Sequence, residues 1–158
     1  MDNISFWNLV ESAGPDDETG DKLRQRLSTL STNEVASFDS IFCSRLAALY
    51  TNRIWGAGYL AEGGMSDDAF EYFRTWVVMQ GREIFDSTIA DPDSLAALDS
   101  IGTYEGPQYA AGDVHKERTG DYPTFASKSP EASLGEDWNF DDDTQMQARY
   151  PRLWQKYA

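Results

Sequence analysis

One cysteine and one histidine stand in a chain of 158 residues. A single cysteine, Cys43, forms no internal disulfide and no thiolate metal cluster, so nothing points to an oxidising compartment. A single histidine, His115, excludes a multi-histidine zinc site. Basic residues are also scarce: 13 Lys and Arg against 27 Asp and Glu leave a formal net charge of −14. That balance works against a direct grip on nucleic-acid phosphates and against an anionic membrane surface. No apolar run reaches the length of a membrane span, and the first residues show no basic segment followed by an apolar stretch. The cytoplasm is therefore the expected compartment. Runs of alternating β-branched residues are missing too, which disfavours a sheet.

What remains is apolar and aromatic. Hydrophobic residues make up 41% of the chain, with 8 Phe, 5 Trp and 8 Tyr. So much apolar surface in one chain of this length argues for a folded core and a single domain over residues 1–158. The reading is all-α: a compact bundle of about six helices, with a long ordered loop before the C-terminal helix.

The stretch from Tyr50 to Leu95 organises this reading. Gly63-Gly64 ends one apolar helical pattern, because glycine adopts the left-handed conformation without a Cβ penalty. Ser66 then reads as the N-cap of the next helix, with Asp67 and Asp68 in its first turn, at the positive end of the helix dipole. Phe70, Phe73, Trp76 and Val77 recur at helical spacing and give that helix an apolar face. Glu71 with Arg74, and Arg82 with Asp86, have the spacing of intrahelical ion pairs. Asp91-Pro92 reads as a cap followed by a first helical residue.

Elsewhere, Asp2 or Asn3 can cap a first helix that stops at Gly14-Pro15. Leu23, Leu27 and Leu30 stripe a second. Ser31 and Glu34 form a capping box for a third, which carries Val35, Phe38, Phe42, Leu46, Leu49 and Tyr50 on one face. Cys43 lies beside that face and reads as a small core residue. Asp39 lies inside it, and is expected to be buried and paired with Arg45, Arg53 or Arg74, since an unpaired buried charge is costly. Gly56 and Gly58 imply either a bend or a close backbone approach. Residues 100–140 are rich in Gly and Pro: Tyr109 to Arg118 can make one helix, and Asp121 to Trp138 reads as loop. Asp141-Asp142-Asp143 starts a last helix, and Pro151 a short final turn.

The block WGAGYLAEGGMSDDAFEYFRTWVVMQG, with Phe6-Trp7, Phe38-Asp39 and the run Arg149 to Trp154, resembles an uncharacterised bacterial family of unknown function. Its marks are W-G-x-x-Y-L-x-x-G-G-x-S-D-D-x-F-x-Y-F-R-x-W-x-x-x-x-G. The resemblance implies a helical fold over nearly the whole chain and no activity. Met65 stands where some relatives have Cys, which argues against a required thiol there.

Chemistry in the sequence is sparse. The nucleophile elbow, the Walker loop, the dinucleotide fingerprint, the calcium loop and the zinc-protease helix are all absent. Asp39, Asp67, Asp68 and Glu71 could together offer oxygen ligands to a hard cation, but acids in a first helical turn more commonly serve the dipole. Neither a metal nor a cofactor is expected. Arg45, Arg53, Arg74 and Arg82 interleave with Tyr50, Trp55, Tyr72 and Trp76. They either neutralise acids within the fold, the favoured reading, or build a pocket for an anionic group.

Two functions stay open. The favoured one is a protein-interaction module that masks a basic partner, as toxin-neutralising proteins do, with Tyr122, Phe125 and Trp138 as partner-facing aromatics. The alternative is an enzyme or small-ligand domain at the Gly63–Arg74 junction, its ligand held by Asp67, Asp68, Arg74, Trp76 and Arg82.

Overall fold

The structure, a computed structural model, describes residues 1–123 and 134–158. Phe125 lies outside the described residues. The described residues contain nine α-helices and no strand. They are α1 (Asn3–Ala13), α2 (Asp21–Leu27), α3 (Thr32–Ala48), α4 (Asn52–Glu62), α5 (Asp67–Met79), α6 (Arg82–Ala90), α7 (Ala110–Thr119), α8 (Asp143–Arg149) and α9 (Pro151–Tyr157). Two 3-10 segments, Pro92–Ala97 and Gly106–Tyr109, link α6 to α7.

The helices outnumber the expected six because the chain restarts where the sequence reads as continuous. Thr51 interrupts the run after α3 and caps α4, accepting a hydrogen bond from the Ile54 N–H at 3.3 Å. Gly81, at φ 97°, turns the chain between α5 and α6. Tyr150 does the same between α8 and α9. The expected short helix near Leu95 is a 3-10 turn, capped by Asp91 with Pro92 in its first turn.

The helix stop and start read at Gly63 and Ser66 are realised. Gly63 closes α4 in the left-handed conformation, and Ser66 accepts from the Ala69 N–H at 3.2 Å to open α5. Ser31 and Glu34 exchange both hydrogen bonds of the capping box. An Ala at Ser66 leaves that N–H unmet. Ser66→Ala is therefore expected to lower stability by about 1 kcal/mol, read as a shift in urea midpoint at unchanged slope.

Helix α4 runs unbroken through its glycines. A Cβ at Gly56 would stand 2.6 Å from the Tyr150 hydroxyl, and one at Gly58 would stand 2.8 Å from the Met65 sulfur and 2.9 Å from the Phe73 ring. The glycines let α4 lie directly on its neighbours, a close approach that any side chain would block. Trp55 then stacks on Phe70 with centroids 4.6 Å apart, and its indole N–H donates to the Met65 carbonyl at 3.0 Å.

All helices contribute to one core. Phe6, Phe38, Phe42, Phe70 and Phe73 are fully buried, and Trp76 stacks on Phe73. Phe6 joins α1 to α3 through Phe38, with centroids 5.0 Å apart. Helix α7 packs along α3, which sets the groove described below.

Candidate functional site

Acids do structural work at three helix starts. Helices α2, α6 and α9 have no side-chain cap of their own. Each receives a carboxylate from another part of the chain. Asp17 accepts from the Lys22 and Leu23 N–H groups at 3.1 and 2.9 Å. Glu11 of α1 accepts from the Arg82 N–H at 3.1 Å. Asp93 accepts from the Arg152 and Leu153 N–H groups at 3.1 and 2.9 Å, and from the Arg152 guanidinium at 3.0 Å. Free helix-start N–H groups and the positive dipole end account for all three.

Asp39 departs from that pattern. It is as buried as Asp17 and Asp93, at 7% exposure against 5% and 4%. Yet it has no hydrogen-bond or ion-pair partner among the described residues. The expected pairing with Arg45, Arg53 or Arg74 does not form. Arg45 lies over the Phe6, Trp7 and Phe85 rings. Arg74 lies 4.7 Å from the Tyr50 ring centre and 4.9 Å from that of Phe70, and donates to the Leu46 carbonyl. Burial pushes the Asp39 carboxyl up to about 6, an effect only partly offset by nearby His115.

Asp39 opens instead onto a groove of about 620 Å³ between α3 and α7. Cys43, Gln108, Tyr109, Asp113 and Tyr122 share its lining. Cys43 is thus exposed, not a core residue. It sits one residue past Phe42, on the edge of the apolar face, where α7 leaves an opening. Partial burial against the groove wall, with the Asp39 charge, raises its thiol to about 11, so it stays protonated and is a poor nucleophile at neutral pH. Asp113 is held by Arg24 at 2.8 Å. The side-chain nitrogen of Gln108 is sealed from solvent and has no acceptor among the described residues. Asp39 with Cys43, and Gln108 with Gly112, are four-residue steps on two helical faces, a spacing present in the sequence. Which two faces meet was not readable there.

A second feature adjoins the groove at Tyr109. Tyr72, Tyr104 and Tyr109 sit among Asp16, Glu18, Asp68, Glu71 and Glu105. Burial and these negative charges raise the hydroxyls of all three tyrosines. The Tyr104 hydroxyl donates to the Pro15 carbonyl at 3.0 Å, and its N–H to the Tyr72 carbonyl at 2.9 Å. These bonds tie the Asp16–Glu18 loop to α5. None of the five carboxylates has an ion-pair partner among the described residues.

The residues expected to bind a ligand are dispersed. Asp67 and Asp68 are solvent-exposed at the start of α5. Trp76 is in the core. Arg82 is exposed and pairs with Asp86 at 3.6 Å, as its spacing implies. Arg74 has turned to rings and a carbonyl, so the expected Glu71–Arg74 pair is not made. Asp39 does not join Asp67, Asp68 and Glu71. Among the described residues no group of three or more His, Cys, Asp or Glu is placed to hold a metal ion.

Of the expected partner-facing aromatics, Tyr122 is 59% exposed and lies against Gly112 and under the Lys116 ammonium, 4.4 Å from its ring centre. Trp138 is half-buried under the Arg149 guanidinium at 3.8 Å, and its indole N–H faces the Met146 sulfur at 3.4 Å. The two line different cavities. Among the described residues no helix is long and apolar enough to cross a membrane.

No curated protein and no solved structure matches this chain significantly. A family model described as a protein of unknown function, DUF4240, matches residues 1–117, which takes in α1 to α6 and both faces of the α3–α7 groove. The match stops short of α8 and α9, so the Arg149–Trp154 run falls outside it. On these grounds the chain belongs to the DUF4240 family.

Proposed function

We propose that this domain is a protein-interaction module that holds a basic partner on its acidic, tyrosine-bearing face. The observation that carries the reading is the set Asp16, Glu18, Asp68, Glu71 and Glu105 around Tyr72, Tyr104 and Tyr109, none of these acids ion-paired among the described residues. Like charges gathered at one surface repel one another. A partner rich in Arg and Lys relieves that repulsion, and exposed tyrosine rings add cation–π contact with guanidinium groups. Tyr109, 47% exposed, is the ring best placed to make it. Masking a basic surface on another protein, as toxin-neutralising proteins do, is the role this chemistry serves.

The test uses affinity capture followed by titration of the recovered protein. A basic partner is expected, with binding that weakens steeply as salt rises, because exposed charges more than about 8 Å apart are screened at physiological ionic strength. The triple variant Asp68→Asn, Glu71→Gln, Glu105→Gln is expected to lose about tenfold in affinity, or about 1.4 kcal/mol. Binding that ignores both salt and the triple variant would rule this face out.

A further inference from the structure

We propose that the groove between α3 and α7 binds a small organic amine or amidine.

One unmet charge faces the cavity. Asp39 is more than nine-tenths buried and has no hydrogen-bond or ion-pair partner among the described residues, whereas Asp17 and Asp93, equally buried, each take at least two N–H donors. Buried polar groups in folded proteins are nearly always satisfied, so the exception calls for an explanation. An occupant that brings N–H donors to the Asp39 carboxylate supplies one.

Charge selects the sign of the occupant. Asp39 and Asp113 both line the groove, so a phosphate or carboxylate would be repelled. Arg24 neutralises Asp113, and His115 only partly offsets the burial of Asp39. The Cys43 thiol stays neutral and supplies packing surface. A cation therefore completes the buried charge that the groove leaves open. The overall charge of −14 also concentrates cations near the surface. A divalent metal fits poorly, since hard cations take six or more oxygens and Asp39 belongs to no ligand cluster among the described residues.

Space and walls suit an organic body. At about 620 Å³ the groove falls in the ordinary range of small-molecule sites. Tyr109 and Tyr122 supply aromatic walls, and Gly112, lacking a side chain, leaves room beside the Tyr122 ring.

The probes are tyramine and benzamidine, set against their neutral counterparts tyrosol and benzamide, with calorimetry and thermal unfolding of the full chain at pH 8. At least one cation is expected to bind and, near saturation, to raise the melting temperature by on the order of 5 °C. The neutral pair should not. Asp39→Asn should weaken cation binding about tenfold or more, and Cys43→Phe, which fills the groove from an exposed position, should weaken it several-fold. Should Asp39→Asn not fold, Cys43→Phe decides alone. The Asp68, Glu71 and Glu105 triple variant should leave groove binding intact, so this site and the partner-binding face stand or fall separately. Equal binding of cation and neutral isostere, no binding of either cation, or binding indifferent to both groove variants would overturn the assignment.

Discussion

Asp93→Ala is expected to destabilise the chain by about 3 kcal/mol and to lower its melting temperature by on the order of 10 °C. The carboxylate accepts from two backbone N–H groups at the start of α9 and from the Arg152 side chain. Alanine leaves the Leu153 N–H buried with nothing to replace the bond, since Leu153 itself is fully buried. Unmade hydrogen bonds to a buried acceptor site cost the full desolvation of the donor. The loss should extend beyond α9, because α9 packs against α4 and the Pro92–Ala97 turn. Arg152 is about half exposed and keeps Asp91 at 2.6 Å, so its own contribution is small. Arg152→Ala should therefore cost well under half as much as Asp93→Ala. Urea unfolding of both variants checks the order, and equal losses would mean the ion pair, not the cap, holds α9.

Asp39→Asn has the opposite expected sign. The folded-state carboxyl titrates at about 6 against an ordinary 3.8. The fold thus favours its protonated form. That preference supports stability in full below about pH 4, and the support is lost as pH rises through about 6. Roughly two pKa units correspond to about 3 kcal/mol at most. Asparagine has nearly the same shape and never ionises, so it avoids the loss. The variant should match the parent near pH 4 and be more stable by about 2 kcal/mol at pH 8. Chemical unfolding across that pH range measures the difference directly. A constant difference at every pH would show that Asp39 is not the titrating group. A buried acid that weakens the fold at neutral pH is the kind of feature a binding site retains at the expense of stability.

The two aspartates mark where sequence reasoning reaches and where it stops. Asp39 was legible as buried, because it sits within the stripe of Val35, Phe38 and Phe42. Its partner was not legible. Arg45 and Arg74 had the charge, and Arg45 the proximity in sequence, but their guanidinium groups lie over aromatic rings. Helical spacing gives the face a residue occupies and says nothing of which other helix covers it. Asp93 follows the Asp91-Pro92 helix start that was legible, but no feature of the sequence assigned it a role of its own. Its role as a cap for α9 joins residues about sixty positions apart. Cys43 failed for a related reason: one step around α3 from Phe42 separates the core from the groove edge.

Local chemistry alone determined that this chain is helical, and where most helices begin and end. Ser31, Ser66 and Asp142 cap by hydrogen bonds that reach only three residues, and Gly63 closes α4 by its own backbone freedom. Such interactions lie within one turn, so they can be read in a line of residues. Tertiary packing decided the rest. Bringing α7 onto α3 made a groove, left Asp39 without a partner among the described residues, and set Tyr109 beside the acids of α5. Those outcomes depend on side chains meeting across the fold, at separations for which one sequence carries no periodic signal.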